Sequence, residues 1–168
     1  MNPSQMTEQQ FVETFGSVYE HSPWIAQRAH ANGLTTDQDN ANALAIAMAT
    51  VVAGASHEDK ITLLRGHPDL AGRLALAGDM TDASIQEQSS AGLSQCTPEE
   101  LAKFQELNEA YTNKFGFPFI LAVRGHQKEE ILRIFSDRVN NDPEVELHEE
   151  LVQVNKIARL RIEELFRA

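Results

Sequence analysis

Three consecutive residues, His67, Pro68 and Asp69, stand in a break between two helical patterns, preceded by Arg65-Gly66 and followed by Leu70-Ala71-Gly72. An imidazole can take and give a proton at neutral pH, and the proline after it disfavours helical backbone at the histidine itself. His67 therefore reads as a candidate acid/base group that leaves the chain at a fixed angle. The same residues also suit a helix-ending turn, with the histidine capping carbonyls and the aspartate capping the next helix. On a helical wheel, Arg161 shares a face with Leu147, Leu151, Val154, Ala158 and Leu165, whereas Arg159 falls on the polar side with Asn155 and Glu163. A guanidinium facing a core calls for an anion, either an acidic ligand or a carboxylate side chain, unless its stem snorkels to the edge. Glu87 lies three residues after Ser84. It is either the reciprocal member of a capping box or a polar group beside an open helix start at Ser84, whose free N–H groups suit a small anion or a urea-like carbonyl.

The elements that must carry these groups are helical. Thr7 and Gln10 have capping-box spacing ahead of Phe11, Phe15, Val18 and Tyr19, and Ser22-Pro23 predicts a second helix ending near Gly33. A third, alanine-rich helix is expected from about Asp37 to Ala55, and a short one from Ser56 to Gly66, where Asp59 stands in the capping-box position. After the His67 break come Leu70, Leu74 and Leu76, then Gly78 and a helix from Ser84 to near Gly92. Thr97-Pro98-Glu99-Glu100 opens a well-specified helix to Phe115, stopped by Gly116. Phe117 to Val123 is an apolar run that reads as a buried strand or an extended connection, with no partner strand in sight. Gln127–Asn140 and Asp142–Phe166 complete an all-α chain of about eight helices, expected as a single compact domain over residues 1–168.

Composition narrows the partners. The chain has 168 residues, 42% of them hydrophobic, which suffices for one domain with a proper core. A net charge of -11 with only 14 scattered Lys and Arg argues against a nucleic-acid surface. Met1 to Gln10 lacks the apolar core of a signal peptide, and no apolar run approaches the ~20 residues that span a bilayer, so a cytoplasmic, membrane-free protein is expected. Cys96 has no second cysteine and no Cys/His cluster around it, so neither a disulfide nor a metal site is expected.

Taken in order, Gly66-His67-Pro68-Asp69-Leu70-Ala71-Gly72, Ser84 with Glu87-Gln88-Ser89 before Ala91-Gly92-Leu93, Phe115-Gly116-Phe117-Pro118-Phe119-Ile120, and Arg159-Leu160-Arg161 resemble the 2-oxo-4-hydroxy-4-carboxy-5-ureidoimidazoline (OHCU) decarboxylases over nearly the whole chain. Each motif alone is weak, and four in order are strong. The resemblance implies an all-α, cofactor-independent lyase that forms (S)-allantoin in urate degradation, with OHCU as its small-molecule substrate and a homodimer as its assembly. It further implies His67 as the acid/base, Pro68 beside the ligand, Ser84, Ile85, Gln86, Glu87 and Gln88 as one wall, Phe119, Ile120, Leu121, Ala122 and Val123 as another, and Arg161 as an anion contact. Glu87 would hold the imidazole or bind ureido N–H groups, and the sequence leaves both open. The tail Leu165–Ala168 lacks the peroxisomal address of eukaryotic members, which suggests a bacterial protein.

Residues 119–123 carry no polar side chain, so their main chain must meet any polar ligand. The alternative is a buried connection whose backbone bonds to neighbouring helices or water. A rival family shares the His-Pro-Asp signature, the J-domain co-chaperones. The helix before their motif is basic, whereas Ser56–Arg65 sets only Lys60 and Arg65 against Glu58 and Asp59. A non-enzymatic helical binding module is the third reading.

Overall fold

Local signals account for most element ends. The computed structural model describes residues 1–70 and 81–168. Among them run α1 (Glu8–Phe15), α2 (Trp24–Ala31), α3 (Ala41–Ala53), α4 (His57–Arg65), α5 (Asp82–Ser90), α6 (Pro98–Phe115), α7 (Lys128–Arg138) and α8 (Pro143–Arg167), with 3-10 turns at Pro3–Gln5, Thr36–Gln38 and Leu93–Gln95. No strand forms among the described residues, and the fold class is all-α. The pattern at Leu74, Leu76 and Gly78 lies outside the described residues.

Thr7 and Thr97 each close a reciprocal capping box, with Gln10 and Glu100 respectively. Ser56 takes the amide of Asp59, but the shorter Asp59 carboxylate does not complete the box and instead meets Arg28 at 3.1 Å. Gly116 ends α6 at φ 79°, a left-handed conformation that glycine adopts without the Cβ penalty. Two boundaries before α4 differ from expectation. α1 stops at Phe15, and Val18 and Tyr19 are buried in the turn after it. α3 begins at Ala41, because Thr35 caps a separate 3-10 turn and Asn40 then takes the amide of Ala43.

The described residues form two compact units: Met1–Gly66 with Val154–Ala168, and His67–Gln153. In the first, α1 packs on α2 and α2 on α3 around Phe11, Phe15, Ile25, Leu44 and Met48, all fully buried. Tyr19 donates to Asn155 Oδ1 at 2.7 Å, and the Phe15 and Phe166 rings lie 6.1 Å apart. In the second, α6 packs against α7, and Phe104, Tyr111, Phe119 and Phe135 form an aromatic core. There the Phe119 ring stacks on Phe135 at 3.9 Å, with the Arg138 guanidinium 4.4 Å from the Phe119 centroid.

Candidate active site

His67 follows Gly66, the C-cap of α4, in a turn as expected, but the turn is not on the surface. His67 is only 9% exposed and Pro68 and Leu70 are buried. Two carboxamides hold the main chain of this turn at successive carbonyls. Gln88 Nε2 donates to Asp69 O at 3.2 Å, and Asn108 Nδ2 donates to Leu70 O at 2.9 Å. Such bonds fix a backbone that no helix or strand supports. The other amide oxygen, Asn108 Oδ1, is buried without a hydrogen-bond partner among the described residues.

α5 starts one turn earlier than expected, which corrects the view of Ser84 as its open N-terminus. Thr81 is the N-cap and accepts from the amide of Ser84 at 3.3 Å, with the acidic Asp82 opening the first turn. Glu87 is therefore well inside the helix, and a capping-box role is excluded by its position. Ser84, Glu87 and Gln88 lie on one face, with Ser84 and Gln88 buried and Glu87 half-buried, while Ile85 and Gln86 are exposed on the other. Of the expected wall, three residues are gathered and two face away.

Residues 119–123 form neither strand nor helix, and every one of them is buried. The open choice between strand and connection resolves to a connection, because its main-chain partners are side chains of helices. Ile120 N donates to Glu150 Oε1 at 2.9 Å, Ala122 N donates to Gln153 Oε1 at 3.0 Å, and Ile120 O accepts from Arg138 Nη1 at 2.8 Å. Arg138 also forks onto Glu146 and reaches Glu150 Oε1 at 2.9 Å, and the Tyr111 hydroxyl bonds both carboxylates, at 2.6 Å for Glu150. One guanidinium thus faces two buried carboxyl groups. Burial pushes the Glu150 carboxyl up to about 8. Glu150 Oε1 lies within hydrogen-bond distance of Tyr111, Ile120 and Arg138, and Oε2 has no partner among the described residues. Burial also raises the Tyr111 hydroxyl, so it stays a donor.

The turn and the connection share a support. Asn108 and Tyr111, three residues apart on α6, anchor Leu70 O and the Glu150 carboxyl that holds Ile120.

In the other unit, Arg161 is 5% exposed, and its guanidinium stands 3.3 Å from Glu20 Oε2 and 3.4 Å from Val18 O. A side-chain carboxylate meets it, one of the two kinds of anion the sequence left open. Arg159 pairs with Glu163 at 3.1 Å on the polar side as expected. The buried face of α8, however, is rotated from the one expected. It runs through Glu146, Glu150, Val154, Ile157, Ala158 and Arg161, while Leu147, Leu151 and Leu165 are half-buried.

The sequence reading missed Asn108, Tyr111, Arg138, Glu146, Glu150 and Gln153. A usable signal existed for Glu150, which lies only about 40° from Val154 on the wheel. Among the described residues no group of His, Cys, Asp and Glu is placed to hold a metal ion, and no helix is long and apolar enough to cross a membrane.

The family model for OHCU decarboxylase matches residues 4–163. The chain belongs to the OHCU decarboxylase family. It is 41% identical over 162 residues to the OHCU decarboxylase of Halalkalicoccus jeotgali, covering 96% of this chain and 88% of that one. The OHCU decarboxylase of Haloferax volcanii is 39% identical over 163 residues, covering 97% and 93%. Among solved structures, a crystal structure of (S)-allantoin synthase superposes with a TM-score of 0.77 at 31% identity, covering 97% of this chain and 52% of that chain. A crystal structure of OHCU decarboxylase in the presence of (S)-allantoin has a TM-score of 0.71 at 22% identity, covering 97% of this chain and all of that one, a likeness of fold. Within this member of the OHCU decarboxylase family, His67, Pro68, Ser84, Glu87, Gln88 and residues 119–123 all belong to the His67–Gln153 unit, and Arg161 belongs to the other.

Proposed function

We propose that the chain decarboxylates OHCU to (S)-allantoin and CO2 in urate degradation, with His67 as the acid/base. The observation that carries the reading is likeness to OHCU decarboxylases along nearly the whole chain. OHCU bears its carboxylate on a ring carbon that also carries a hydroxyl. When the bond from that carbon to the carboxylate breaks, CO2 leaves and the electron pair delocalises into the ring carbonyl and nitrogen system. The hydroxyl on that carbon becomes the ring carbonyl as its proton leaves, the neighbouring ureido-bearing carbon takes a proton, and the face from which that proton comes sets the S configuration. The chemistry asks the protein to orient one molecule and move one proton, work that an imidazole in a held turn can do at about 10²–10⁴-fold.

What supports His67 in this role is its residue type and a turn fixed at Asp69 O and Leu70 O. Pro68 stands beside the ligand. Glu87, half-buried on the inward face of α5, holds the imidazole or receives ureido N–H groups, and Ser84 and Gln88 share that face. Phe119–Val123 contribute main-chain groups in place of polar side chains. Arg161 is proposed as an anion contact on the strength of its residue type and burial, although Glu20 already meets it. A cytoplasmic location and a homodimer complete the proposal, the latter read by light scattering.

The test is chiroptical. OHCU generated fresh from urate is split between buffer and protein, and circular dichroism follows allantoin. Expected is a faster, enantioselective rise of the S enantiomer; a racemic rise at the buffer rate ends the proposal and leaves the binding-module reading standing.

A further inference from the structure

The cluster formed by Tyr111, Arg138, Glu146 and Glu150 takes no part in the proton transfer, yet it and Gln153 determine which main-chain groups residues 119–123 can offer. Glu150 and Gln153 stand three residues apart on α8 and accept from the amides of Ile120 and Ala122 at 2.9 and 3.0 Å. Two amides two residues apart that donate in one direction require an alternating backbone, in which the amides between and beyond them point the opposite way. Those are the amides of Leu121 and Val123. Neither makes a hydrogen bond among the described residues, although both residues are buried. A buried N–H without a partner is rare enough to call for one.

We propose that Glu150 and Gln153 are positioning residues. By occupying the amides of Ile120 and Ala122, they hold the connection in the register that presents the amides of Leu121 and Val123 to the carbonyl oxygens of a ureido-bearing ligand. Arg138 fixes the same register from the acceptor side, through its 2.8 Å bond to Ile120 O. A slip of one residue would turn the Leu121 and Val123 amides towards α8 and the other pair away from it. The inference rests on the proposed function, since it takes this connection to be part of the ligand site.

The experiment measures amide hydrogen exchange by NMR on the full chain, with and without (S)-allantoin, beside steady-state kinetics on OHCU. In the free protein Ile120 and Ala122 are expected to exchange slowly and Leu121 and Val123 faster, and (S)-allantoin should slow the latter pair about tenfold. Gln153→Met removes the acceptor for Ala122 and keeps the side-chain length. It is expected to speed exchange at Ala122 and raise KM about tenfold with kcat within about twofold, whereas Glu150→Gln, which keeps an acceptor for Ile120, should hold KM within about twofold. Wild-type turnover with no change at Leu121 and Val123 on adding (S)-allantoin, or a folded Gln153→Met with wild-type KM, overturns the positioning role and leaves the decarboxylase reading intact. A wild-type chain that does not turn over OHCU overturns both.

Discussion

The His67–Leu70 turn and the Phe119–Val123 connection lie in the same unit and solve opposite problems. The turn has its carbonyls held by Gln88 and Asn108, so its main chain is the supported part and, on the proposed function, its imidazole the working part. The connection has only apolar side chains, packed away as in the stack of Phe119 on Phe135, and on the proposed function its main chain meets the ligand. With the amides of Ile120 and Ala122 tied down from behind, the proposal gives an apolar segment a place in a polar site that residue type alone conceals.

Damage to the turn should appear as lost turnover, and damage behind the connection as weaker binding, with lost stability where a buried charge is uncovered. His67→Asn is expected to lower kcat by about 10²–10⁴-fold with the helical dichroism retained, since it removes the proton carrier. Wild-type turnover in that variant would end the assignment of the turn. Arg138→Met, on the other side, leaves Glu146 buried without its guanidinium and should cost about 3–5 kcal/mol in urea unfolding. A lowered kcat at unchanged stability would break the contrast.

Much of this division was legible locally. Gly66 and Pro68 punctuate the turn, Thr7 and Thr97 declare their capping boxes, and Gly116 stops α6, because each signal acts within one helical turn of chain. The start of α5 was not, since Thr81 and Ser84 are both hydroxyl residues able to cap, and only the packing of Ser84 to 3% exposure selects the earlier one. Nor was the buried face of α8. Reading it on apolar residues favoured Leu147 and Leu151, whereas Glu146 and Glu150 are buried because Arg138 and Tyr111, distant in sequence, meet them. Whether 119–123 is strand or connection likewise depended on Glu150 and Gln153.

Glu150 sharpens the comparison through pH. Its folded carboxyl is raised from 4.5 to about 8, so the fold favours the protonated form. The stability it contributes is fully present below its ordinary range and falls as pH rises through the window up to about 8, by at most about 1.4 kcal/mol per pH unit. Glu150→Gln should flatten that part of the stability profile, and a variant with the wild-type slope would show that the group does not titrate there. The smallest effect is expected at Arg161. Arg161→Lys loses the planar fork and should raise KM about fivefold, less than 1 kcal/mol or so, with kcat kept. An unchanged KM with a lowered melting temperature would assign Arg161 to its pairing with Glu20 alone.

The joint use of side chain and main chain is read most directly by a crystal structure with (S)-allantoin bound. The account predicts the ligand against His67, its carbonyl oxygens accepting from the main-chain amides of Leu121 and Val123, while Ile120 and Ala122 keep their bonds to Glu150 and Gln153. A ligand held away from residues 119–123, or bound there through side chains alone, would contradict it.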